Sequence, residues 1–406
     1  MGESKPIVVM KFGGTSVASS EGRSAIAARV SASLEAGLAP VVVVSAMGRK
    51  GAPYATDTLL SLVEGLPADA RENDLLASVG EVISAIVVAH ELRAAGIAAA
   101  AFTGPEAGIC TDGVAGEAAI TEVHTGPLVA AISRGEVPVV CGFQGIAEDG
   151  RLTTLGRGGS DTTACALGVA LDAREVEIYT DVDGVMTADP RSCEGAEVLE
   201  TISADELFQM AKAGSRVVHT PAAELALSSG LAVKVKNTYT DHPGTTVADI
   251  AGYRPASVAT AVTHTAGIAR VRVALPAAEG SAENMAAQTR VYRAMADAGV
   301  SLDMFTPVGE ILIFAVAESA LADASAVLTG LGLTHRVTED LAKVTLVGAG
   351  MHGVPGVMAR MAELLAEAGV NVIQTADSHT TIAVLVAEAD APVAVQALHD
   401  GFELAN

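Results

Sequence analysis

Short apolar runs alternate with longer runs rich in Ala, Leu and Glu up to about Val247. The apolar runs are typical of strands buried on both faces. Predicted strands cover residues 41–44, 98–102, 137–141, 176–180 and 233–235, and predicted helices cover residues 21–36, 73–95, 127–134, 164–171 and 204–213. This α/β alternation predicts an open, mostly parallel sheet sandwiched by helices, in which ligands bind beyond the carboxyl ends of the strands.

A lysine and two glycines follow a further apolar run, residues 7–10, close to the N-terminus. Gly13 and Gly14 would let backbone N–H groups approach an anion, and Lys11 adds a mobile positive charge. The P-loop spacing G-x-x-x-x-G-K-[ST] occurs nowhere in the chain. The segment is therefore either a phosphate cradle of another kind or an ordinary strand and turn.

A second glycine-rich segment, residues 153–163, precedes an Ala-rich predicted helix. Ser160 and Asp161 stand where that helix begins, and a helix N-terminus preceded by two glycines suits an anion. Arg157 offers a planar fork for a carboxylate or phosphate, and Asp161 is placed to orient a substrate or a metal–phosphate complex. The alternative is a capped helix with a flexible lead-in. An arginine held between glycines favours a binding site.

Six segments in this half of the chain resemble, in the same order, the motifs of aspartate kinases in the amino-acid kinase superfamily. They are residues 11–16, 44–48, 80–81, 142–145, 155–161 and 179–191. The similarity continues to the C-terminus through residues 347–351 and 376–381. Together with residues 45–57, this last segment resembles the monofunctional, diaminopimelate-inhibited branch of the family.

Two weakly similar units follow a predicted linker at residues 251–262. Each combines apolar strands with an amphipathic helix that ends in Ala-Gly-Val, at residues 293–300 and 363–370. They resemble the paired, ferredoxin-like ACT domains of aspartate kinases, which bind small amino acids where two units meet. We therefore expect a catalytic domain over residues 1–250 and ACT-like units over residues 263–338 and 339–406. The C-terminal segment is a candidate to complete the first unit, and dimerisation alone is the alternative role.

The chain of 406 residues carries a formal net charge of −23. This charge argues against nucleic acid and anionic membranes as partners, and it requires a site for ATP to collect positive charge locally. The candidates are Lys11, Arg157, Arg216 and Lys212. The four cysteines form no C-x-x-C, and the nine histidines show no metal-ligand spacing, so reduced thiols and no protein-held metal are predicted. With no cleavable signal and no apolar run long enough to span a bilayer, we expect a cytoplasmic location.

The resemblance implies transfer of a phosphoryl group from MgATP to the side-chain carboxylate of L-aspartate, the first step towards lysine and diaminopimelate, threonine and methionine. It implies catalytic roles for Lys11 and Asp161, with Glu81 on the α-ammonium of aspartate and Arg157 on its α-carboxylate. The implied substrate-binding residues are Ser45, Thr56, Glu81, Arg157, Gly158, Gly159 and Ser160. The implied nucleotide-binding residues are Lys11, Phe12, Gly13, Gly14, Thr180, Asp181, Met186, Thr187, Asp189, Pro190, Arg191, Arg216 and Val217. Mg²⁺ would be held mainly through the phosphates, and an effector (diaminopimelate, lysine or threonine) would bind the ACT units of a homodimer.

Some positions depart from the family pattern. Arg216 replaces the customary nucleotide-contacting lysine, and Ala222 replaces an arginine. Arg216 can still reach a phosphate, although its guanidinium is bulkier and forked where a lysine ammonium is a point charge, which leaves the level of activity open. The first ACT-like unit, at residues 277–280, lacks the usual Asp-x-Pro-Gly loop. Two other hypotheses therefore stay open: the same fold with another carboxylate, carbamate or nucleotide as substrate, and a non-catalytic, effector-sensing subunit.

Overall fold

A computed structural model describes residues 5–67, 69–215, 218–248, 258–276, 278–351 and 353–405. The chain divides into two compact units. Unit 1 comprises Met1–Val185, Val198–Ala211 and Arg216–Tyr253, and unit 2 comprises Met186–Glu197, Lys212–Ser215 and Arg254–Asn406. Two short segments of the predicted catalytic domain are thus packed in unit 2.

Unit 1 holds strands β1 to β12 and helices α1 to α8. The strands are β1 (Ile7–Phe12), β2 (Ala39–Val44), β3 (Ala99–Phe102), β4 (Ile109–Thr111), β5 (Ile120–Val123), β6 (Val137–Cys141), β7 (Gln144–Ala147), β8 (Leu152–Thr154), β9 (Glu175–Thr180), β10 (Thr201–Ser203), β11 (Val233–Asn237) and β12 (Thr245–Ala248). The helices are α1 (Gly14–Ala18), α2 (Ser20–Glu35), α3 (Thr56–Ser61), α4 (Ala70–Ala94), α5 (Gly126–Ser133), α6 (Gly159–Ala170), α7 (Ala204–Lys212) and α8 (Thr220–Ser229).

The main sheet has eight strands in the order β10-β12-β11-β9-β1-β2-β6-β3. All of its pairings are parallel except that of β11 with β12. Every residue of β2 and β6 is buried, as expected for strands covered on both faces. A core of apolar side chains from β1, β2 and β6 packs against α2 and α4. The predicted α/β fold with an open, mostly parallel sheet is confirmed.

Helix α4 has 25 residues, and by length and composition alone it would suit a membrane-spanning helix. The expectation that no apolar run would be long enough to span a bilayer is wrong by this criterion, and α4 is the one such helix found among the described residues. Half of its apolar window is buried inside the protein. It also buries two carboxyl side chains, Asp74 and Glu81, that accept hydrogen bonds from other parts of unit 1. These are properties of a core helix.

A second, four-stranded sheet in unit 1, with the order β5-β4-β7-β8, was not predicted. Within the family-like segment at residues 142–145, Gln144 begins β7 and pairs with Thr154 of β8. The side-chain amide of Gln144 donates to the carbonyl of Ser78 on α4 at 3.1 Å. The small sheet is thereby fastened to the helix that carries Glu81.

Unit 2 contains a six-stranded antiparallel sheet in the order β14-β15-β13-β16-β18-β17. Its strands are β13 (Ala261–Ala274), β14 (Asp303–Val308), β15 (Ile311–Ala317), β16 (His335–Val347), β17 (Gln374–Asp377) and β18 (Thr381–Ala387). Its helices are α9 (Ala282–Asp297), α10 (Leu321–Gly330), α11 (Val357–Glu367) and α12 (Ala391–Gly401). One apolar core lies under α9 and α10, and another lies under α11 and α12.

Strands β13 and β16 are long enough to serve both halves of this sheet. Residues 268–273 of β13 pair with β15 and with the first part of β16. Residues 261–265 of β13 pair instead with the second part of β16, beside β18. The segment that joins the second half of the sheet is therefore the N-terminal part of β13, residues 261–265. The suggestion that the C-terminal segment completes the first half is wrong, since β18 and α12 pack in the second.

Candidate active site

The carboxyl ends of β1, β2, β6 and β9 lie side by side in the sheet. The chain passes from β1 to β2 on one side, whereas β9 lies on the other side of β1. Where the chain connections leave two adjacent parallel strands towards opposite sides of the sheet, a crevice opens at the carboxyl ends of those strands. Ligands of α/β proteins bind in such crevices. Lys11, Ser45 and Thr180 lie at or directly after these strand ends. Thr56 is instead on α3, Glu81 is on α4, and Arg157 follows β8 of the small sheet.

The two predicted catalytic side chains form an ion pair at this crevice. Lys11 Nζ, on β1, lies 2.6 Å from Asp161 Oδ1, in the first turn of α6, and both side chains are largely buried. Helix α6 begins at Gly159 and is capped by Gly158, so Asp161 is not the cap. The carboxylate instead holds the lysine ammonium close to the N-terminus of a helix, which itself favours anions.

The turn after β1 is fitted closely to the turn after β2. A Cβ at Gly14 would lie 2.7 Å from the carbonyl oxygens of both Ala46 and Gly48, so only glycine fits there. The N–H of Gly48 donates to the carbonyl of Gly14 at 2.9 Å. Phe12 is fully buried and stacks on Tyr179, with ring centroids 4.6 Å apart, so its ring is part of the core.

Glu81 is a buried carboxyl group, and one of its two oxygens has no hydrogen-bond partner among the described residues. It is 2% exposed, and Oε1 accepts a hydrogen bond from the N–H of Ala46 at 3.0 Å. Oε2 is also buried, and no described residue supplies a hydrogen-bond partner for it. Burial raises the pKa of Glu81 from 4.5 to about 8, against the opposing effect of the Ala46 hydrogen bond. Ser45, next to Ala46 at the end of β2, is half-buried.

The loop that joins β8 to α6 carries Arg157 on its surface. The Arg157 side chain is exposed, and it has no ion-pair partner within the described part of the chain. It borders a cavity of about 820 Å³ that is also lined by Lys50, Asp57 and Asn73. Thr56, the first residue of α3, immediately precedes Asp57. The structure thus places an unpaired guanidinium at a cavity large enough for an amino acid.

Tight packing fixes the start of α6. A Cβ on Gly159 would lie 2.8 Å from the side chain of Leu155, and one on Gly142, after β6, would lie 2.6 Å from Ser160. Ser160 itself is buried. The predicted residues Gly158, Gly159 and Ser160 therefore form one rigid turn with little freedom to adjust.

Asp74 supports this loop and was not predicted. It is buried on α4 and accepts a hydrogen bond of 2.6 Å from Thr154 Oγ1, at the end of β8. It also accepts one of 3.0 Å from the N–H of Gly116. Because Asp74 and Glu81 are seven residues apart on α4, they lie on one face of the helix. No local sequence signal distinguishes Asp74 from a solvated helix charge.

Thr180 and Asp181 follow β9 as predicted. Asp181 is paired with Arg49 across 2.9 Å, and both side chains are largely exposed. Thr180 Oγ1 donates to Asp181 Oδ1 at 3.2 Å. An exposed pair of this kind is weak and easily rearranged when a ligand arrives.

The other predicted nucleotide-binding residues are not in the described part of unit 1. Met186, Thr187, Asp189, Pro190 and Arg191 belong to unit 2, and Arg216 and Val217 lie outside the described residues.

Within unit 2, the segment Met186–Glu197 is firmly packed. Thr187 Oγ1 accepts from the N–H of Glu197 at 3.0 Å and lies 2.9 Å from Nε2 of the buried His399 on α12. The Arg191 guanidinium pairs with Asp189 and holds the pKa of that carboxyl below its ordinary value. Thr187 is therefore a structural residue of unit 2 in this structure, whatever else it binds.

His219 is a second residue that the sequence analysis missed. It precedes α8, and its ring lies against the backbone of Gly158. Its neighbours in sequence gave no chemical reason to single it out.

No group of three or more His, Cys, Asp or Glu side chains with the geometry of a metal site occurs among the described residues. The four cysteines are free thiols.

Comparison with known proteins identifies the family. Residues 6–237 match the amino acid kinase family, and residues 336–400 match the ACT domain. The chain is 42% identical to aspartokinase 1 of Bacillus subtilis, over 98% of this chain and all of the relative. It is 40% identical to an aspartokinase of Mycolicibacterium smegmatis, over 98% of this chain and 96% of that one.

The solved structure of E. coli aspartokinase III in complex with aspartate and ADP, in the R-state, superposes with a TM-score of 0.82. It is 25% identical, over 98% of this chain and all of that one. The same enzyme in complex with lysine and aspartate, in the T-state, gives 0.76 at the same identity, over 98% of this chain and 99% of that one. The chain belongs to the amino acid kinase family and, within it, to the aspartokinases.

Proposed function

We propose that the site in unit 1 transfers the γ-phosphoryl group of MgATP to the side-chain carboxylate of L-aspartate and releases 4-phospho-L-aspartate and ADP. Aspartate kinase activity itself follows from the family. In the reaction a carboxylate oxygen forms a bond to the γ-phosphorus while the bond to the β–γ bridging oxygen breaks. Such transfer asks the protein chiefly to align the reactants and to neutralise charge on the moving group.

The unpaired oxygen of Glu81 carries the assignment of an amino acid as acceptor. A buried polar atom without a partner is costly, and an incoming ammonium group would pair with Oε2. The same ammonium would favour the ionised carboxyl, whose pKa burial raises to about 8 without ligand. Glu81 thus has the properties of a receptor for the α-ammonium of aspartate.

Arg157 would bind the α-carboxylate. Its guanidinium is exposed and unpaired among the described residues, and it borders the 820 Å³ cavity. A planar fork binds a carboxylate through two parallel hydrogen bonds. Ser45 and Thr56 would complete the contacts to aspartate, together with the turn formed by residues 158–160.

Lys11 and Asp161 would act on the transferring group. With its ammonium held 2.6 Å from Asp161 and only slightly exposed, Lys11 is positioned to interact with the phosphoryl oxygens as the bond to ADP breaks. Asp161 would keep the lysine oriented and, in the bound complex, would orient the reactants. The N–H groups of Gly13 and Gly14 would contact the phosphates. At Gly14 a side chain would not fit, because its Cβ would lie 2.7 Å from two carbonyl oxygens.

Within unit 1, the remaining nucleotide contacts would come from Phe12, Thr180 and Asp181. The family resemblance also assigns nucleotide contacts to Met186, Thr187, Asp189, Pro190 and Arg191, which belong to unit 2, and to Arg216 and Val217, and these assignments stay predictions. Mg²⁺ would arrive with ATP and be held mainly through its phosphates, because Mg²⁺ that binds with a nucleotide takes only one or two carboxylate ligands from a protein.

We assign the reaction to the first step of lysine and diaminopimelate, threonine and methionine synthesis in the cytoplasm. Four free thiols agree with a reducing compartment. Diaminopimelate, lysine or threonine is the proposed effector at the ACT-like halves of a homodimer. One solved relative was crystallised with lysine, which supports an amino acid in that role.

The test is ATP-dependent hydroxamate formation with aspartate, glutamate or N-acetylglutamate as acceptor, each with and without the three candidate effectors. Hydroxylamine traps the acyl phosphate, so the assay reports the bond that is made. Signal with aspartate alone, suppressed by one effector, is the expected result. Signal with another acceptor instead would overturn the substrate assignment. Absence of signal from folded protein would favour the effector-sensing subunit.

A further inference from the structure

His219 lies directly before α8, at its N-cap position, but it does not cap that helix. Its backbone is extended, with φ −77° and ψ 142°, and its side chain makes no capping hydrogen bond. A residue at this position usually turns a polar atom back to the first-turn N–H groups. The His219 ring is directed elsewhere.

The ring lies on the turn that begins α6. A Cβ built at Gly158 would lie 1.9 Å from His219 Cγ and 2.4 Å from Nδ1, so the imidazole occupies the space that any other residue at position 158 would need. Gly158 also has a φ of +71°, which glycine tolerates readily. The His219 ring therefore lies against Gly158, the residue that caps the N-terminus of α6.

The charges of the candidate active site surround this ring. Burial lowers the pKa of His219 below 6.5; Asp161 opposes that change, and the cations Arg157 and Lys11 reinforce it. The imidazole is consequently uncharged at neutral pH. A neutral imidazole can donate one hydrogen bond without adding a further cation to the site.

The Nδ1 atom of His219 makes no hydrogen bond with any described residue of the protein. It is buried, and no described residue is within hydrogen-bond distance of it. Native proteins pair almost all such atoms, either internally or with bound molecules. A 12-residue helix whose N-terminus meets Lys11 and an unpaired buried nitrogen combines three features that suit an anionic oxygen.

We propose that His219 contacts the substrate in this site, donating a hydrogen bond from Nδ1 to an anionic oxygen bound at the N-terminus of α6. The proposal rests on the function assigned to the site above. The oxygen belongs either to a carboxylate of the amino acid or to the phosphoryl group in transfer. Both present the same acceptor chemistry, and kinetics separate them.

The experiment compares three substitutions of His219 in the full-length protein. His219→Leu keeps most of the volume without a polar atom. His219→Asn places an amide near the position of Nδ1, and His219→Gln places one near that of Nε2. His124→Leu, at a histidine that is 62% exposed, is the matched control. For each we would measure kcat, the KM for aspartate and for ATP, and the unfolding midpoint.

We expect His219→Leu and His219→Gln to lose about tenfold or more in kcat/KM, because a hydrogen bond to a charged oxygen is lost. His219→Asn should recover most of that loss, and the unfolding midpoints should stay together. A rise in the KM for aspartate would identify the carboxylate; a fall in kcat, or a rise in the KM for ATP, would identify the phosphoryl group. Equal activity of the Asn and Leu variants, or a Leu variant within twofold of the unmodified protein, would overturn the proposal.

Titration calorimetry keeps this test separate from that of the proposed function. The probes are aspartate alone and the Mg²⁺ complex of a non-hydrolysable ATP analogue that keeps the γ-phosphoryl group, so no phosphoryl transfer is needed. If the unmodified protein binds them but forms no acyl phosphate, the proposed function fails while the role of His219 is still measured. Dissociation constants that do not differ between the Leu and Asn variants, in a protein also without turnover, would refute the contact.

Discussion

Replacing Glu81 by Gln removes an ionisable group from the candidate site and changes its shape very little. The amide oxygen of the variant can still accept the hydrogen bond that Ala46 donates to Oε1. What disappears is the ability of the second, unpaired oxygen to carry negative charge towards an ammonium group. The substitution therefore separates ammonium binding from the packing of α4.

The magnitude follows from the pKa of about 8 that burial gives Glu81. In the unliganded protein the carboxyl is ionised in about half of the molecules at pH 8 and in roughly 1% at pH 6. If only the ionised form pairs with the substrate ammonium, the KM for aspartate should rise roughly 50-fold from pH 8 to pH 6. Aspartate should also release a proton when it binds near pH 7.

Hydroxamate kinetics at a series of pH values between 6 and 8 give this KM directly. Glu81→Gln should bind aspartate weakly, with a KM that is nearly constant over the same range. Glu91→Gln, on the same helix but at a 37% exposed carboxylate, should keep the pH dependence of the unmodified protein. An unmodified protein whose KM for aspartate does not change between pH 6 and 8 would refute the assignment of the ammonium to Glu81.

The same pKa has a consequence for stability. Between the ordinary value of 4.5 and about 8, the folded protein holds a proton at Glu81 that the unfolded chain has released. The stability associated with this proton is fully present below pH 4.5 and is lost as the pH rises towards 8, by up to about 1.4 kcal/mol per pH unit. Glu81→Gln lacks this loss, so the variant should gain stability relative to the unmodified protein between pH 5.5 and 7.5. Urea denaturation without ligands, at both pH values, measures the difference.

Three further substitutions test other parts of the account. Arg157→Ala should raise the KM for aspartate about tenfold or more and lower kcat, while the MgADP dissociation constant, measured by calorimetry, should stay nearly unchanged. An unchanged KM for aspartate would remove Arg157 from the substrate site. Gly14→Ala should raise the KM for ATP strongly, because the new methyl would lie 2.7 Å from carbonyl oxygens in the turn 46–48; kinetics like those of the unmodified protein would contradict the close fit of the two turns. Thr187→Val should reduce the free energy of unfolding, measured by urea denaturation, by about 1–3 kcal/mol, because it leaves buried polar atoms such as His399 Nε2 unpaired. A change below about 0.5 kcal/mol would mean that these contacts contribute little.

Apolar runs predicted six strands of the main sheet, β1, β2, β3, β6, β9 and β11, because strands covered on both faces are continuously apolar; β10 and β12 were not predicted. The predicted strand at residues 137–141 coincides with β6, and that at 98–102 differs from β3 by one residue. The start of α6 was also predictable, because Gly158 and the polar residues after it are strong local signals. The strands of the small sheet have only three or four residues, which is too short for periodicity to indicate.

The contacts that could not be predicted join residues far apart in sequence. Asp74 meets Thr154 across 80 positions, and the ring of His219 meets Gly158 across a comparable separation. The pairing of residues 261–265 in the second half of the unit 2 sheet could not be predicted for a similar reason. The two similar helix segments predict two equal units. The actual strand pairing depends on the lengths of β13 and β16, which the helix segments do not indicate. Such pairings depend on tertiary packing, which local patterns do not encode.

The central claim is that this chain makes an acyl phosphate on aspartate, and ³¹P NMR of the complete reaction tests it most directly. Protein, MgATP and L-aspartate should give ADP together with an equal amount of a new phosphorus resonance that disappears when hydroxylamine is added. Glu81→Gln, assayed at the same subsaturating aspartate concentration and for the same time, should form far less of both products. Formation of ADP with inorganic phosphate alone, or no consumption of ATP by folded protein, would contradict the account.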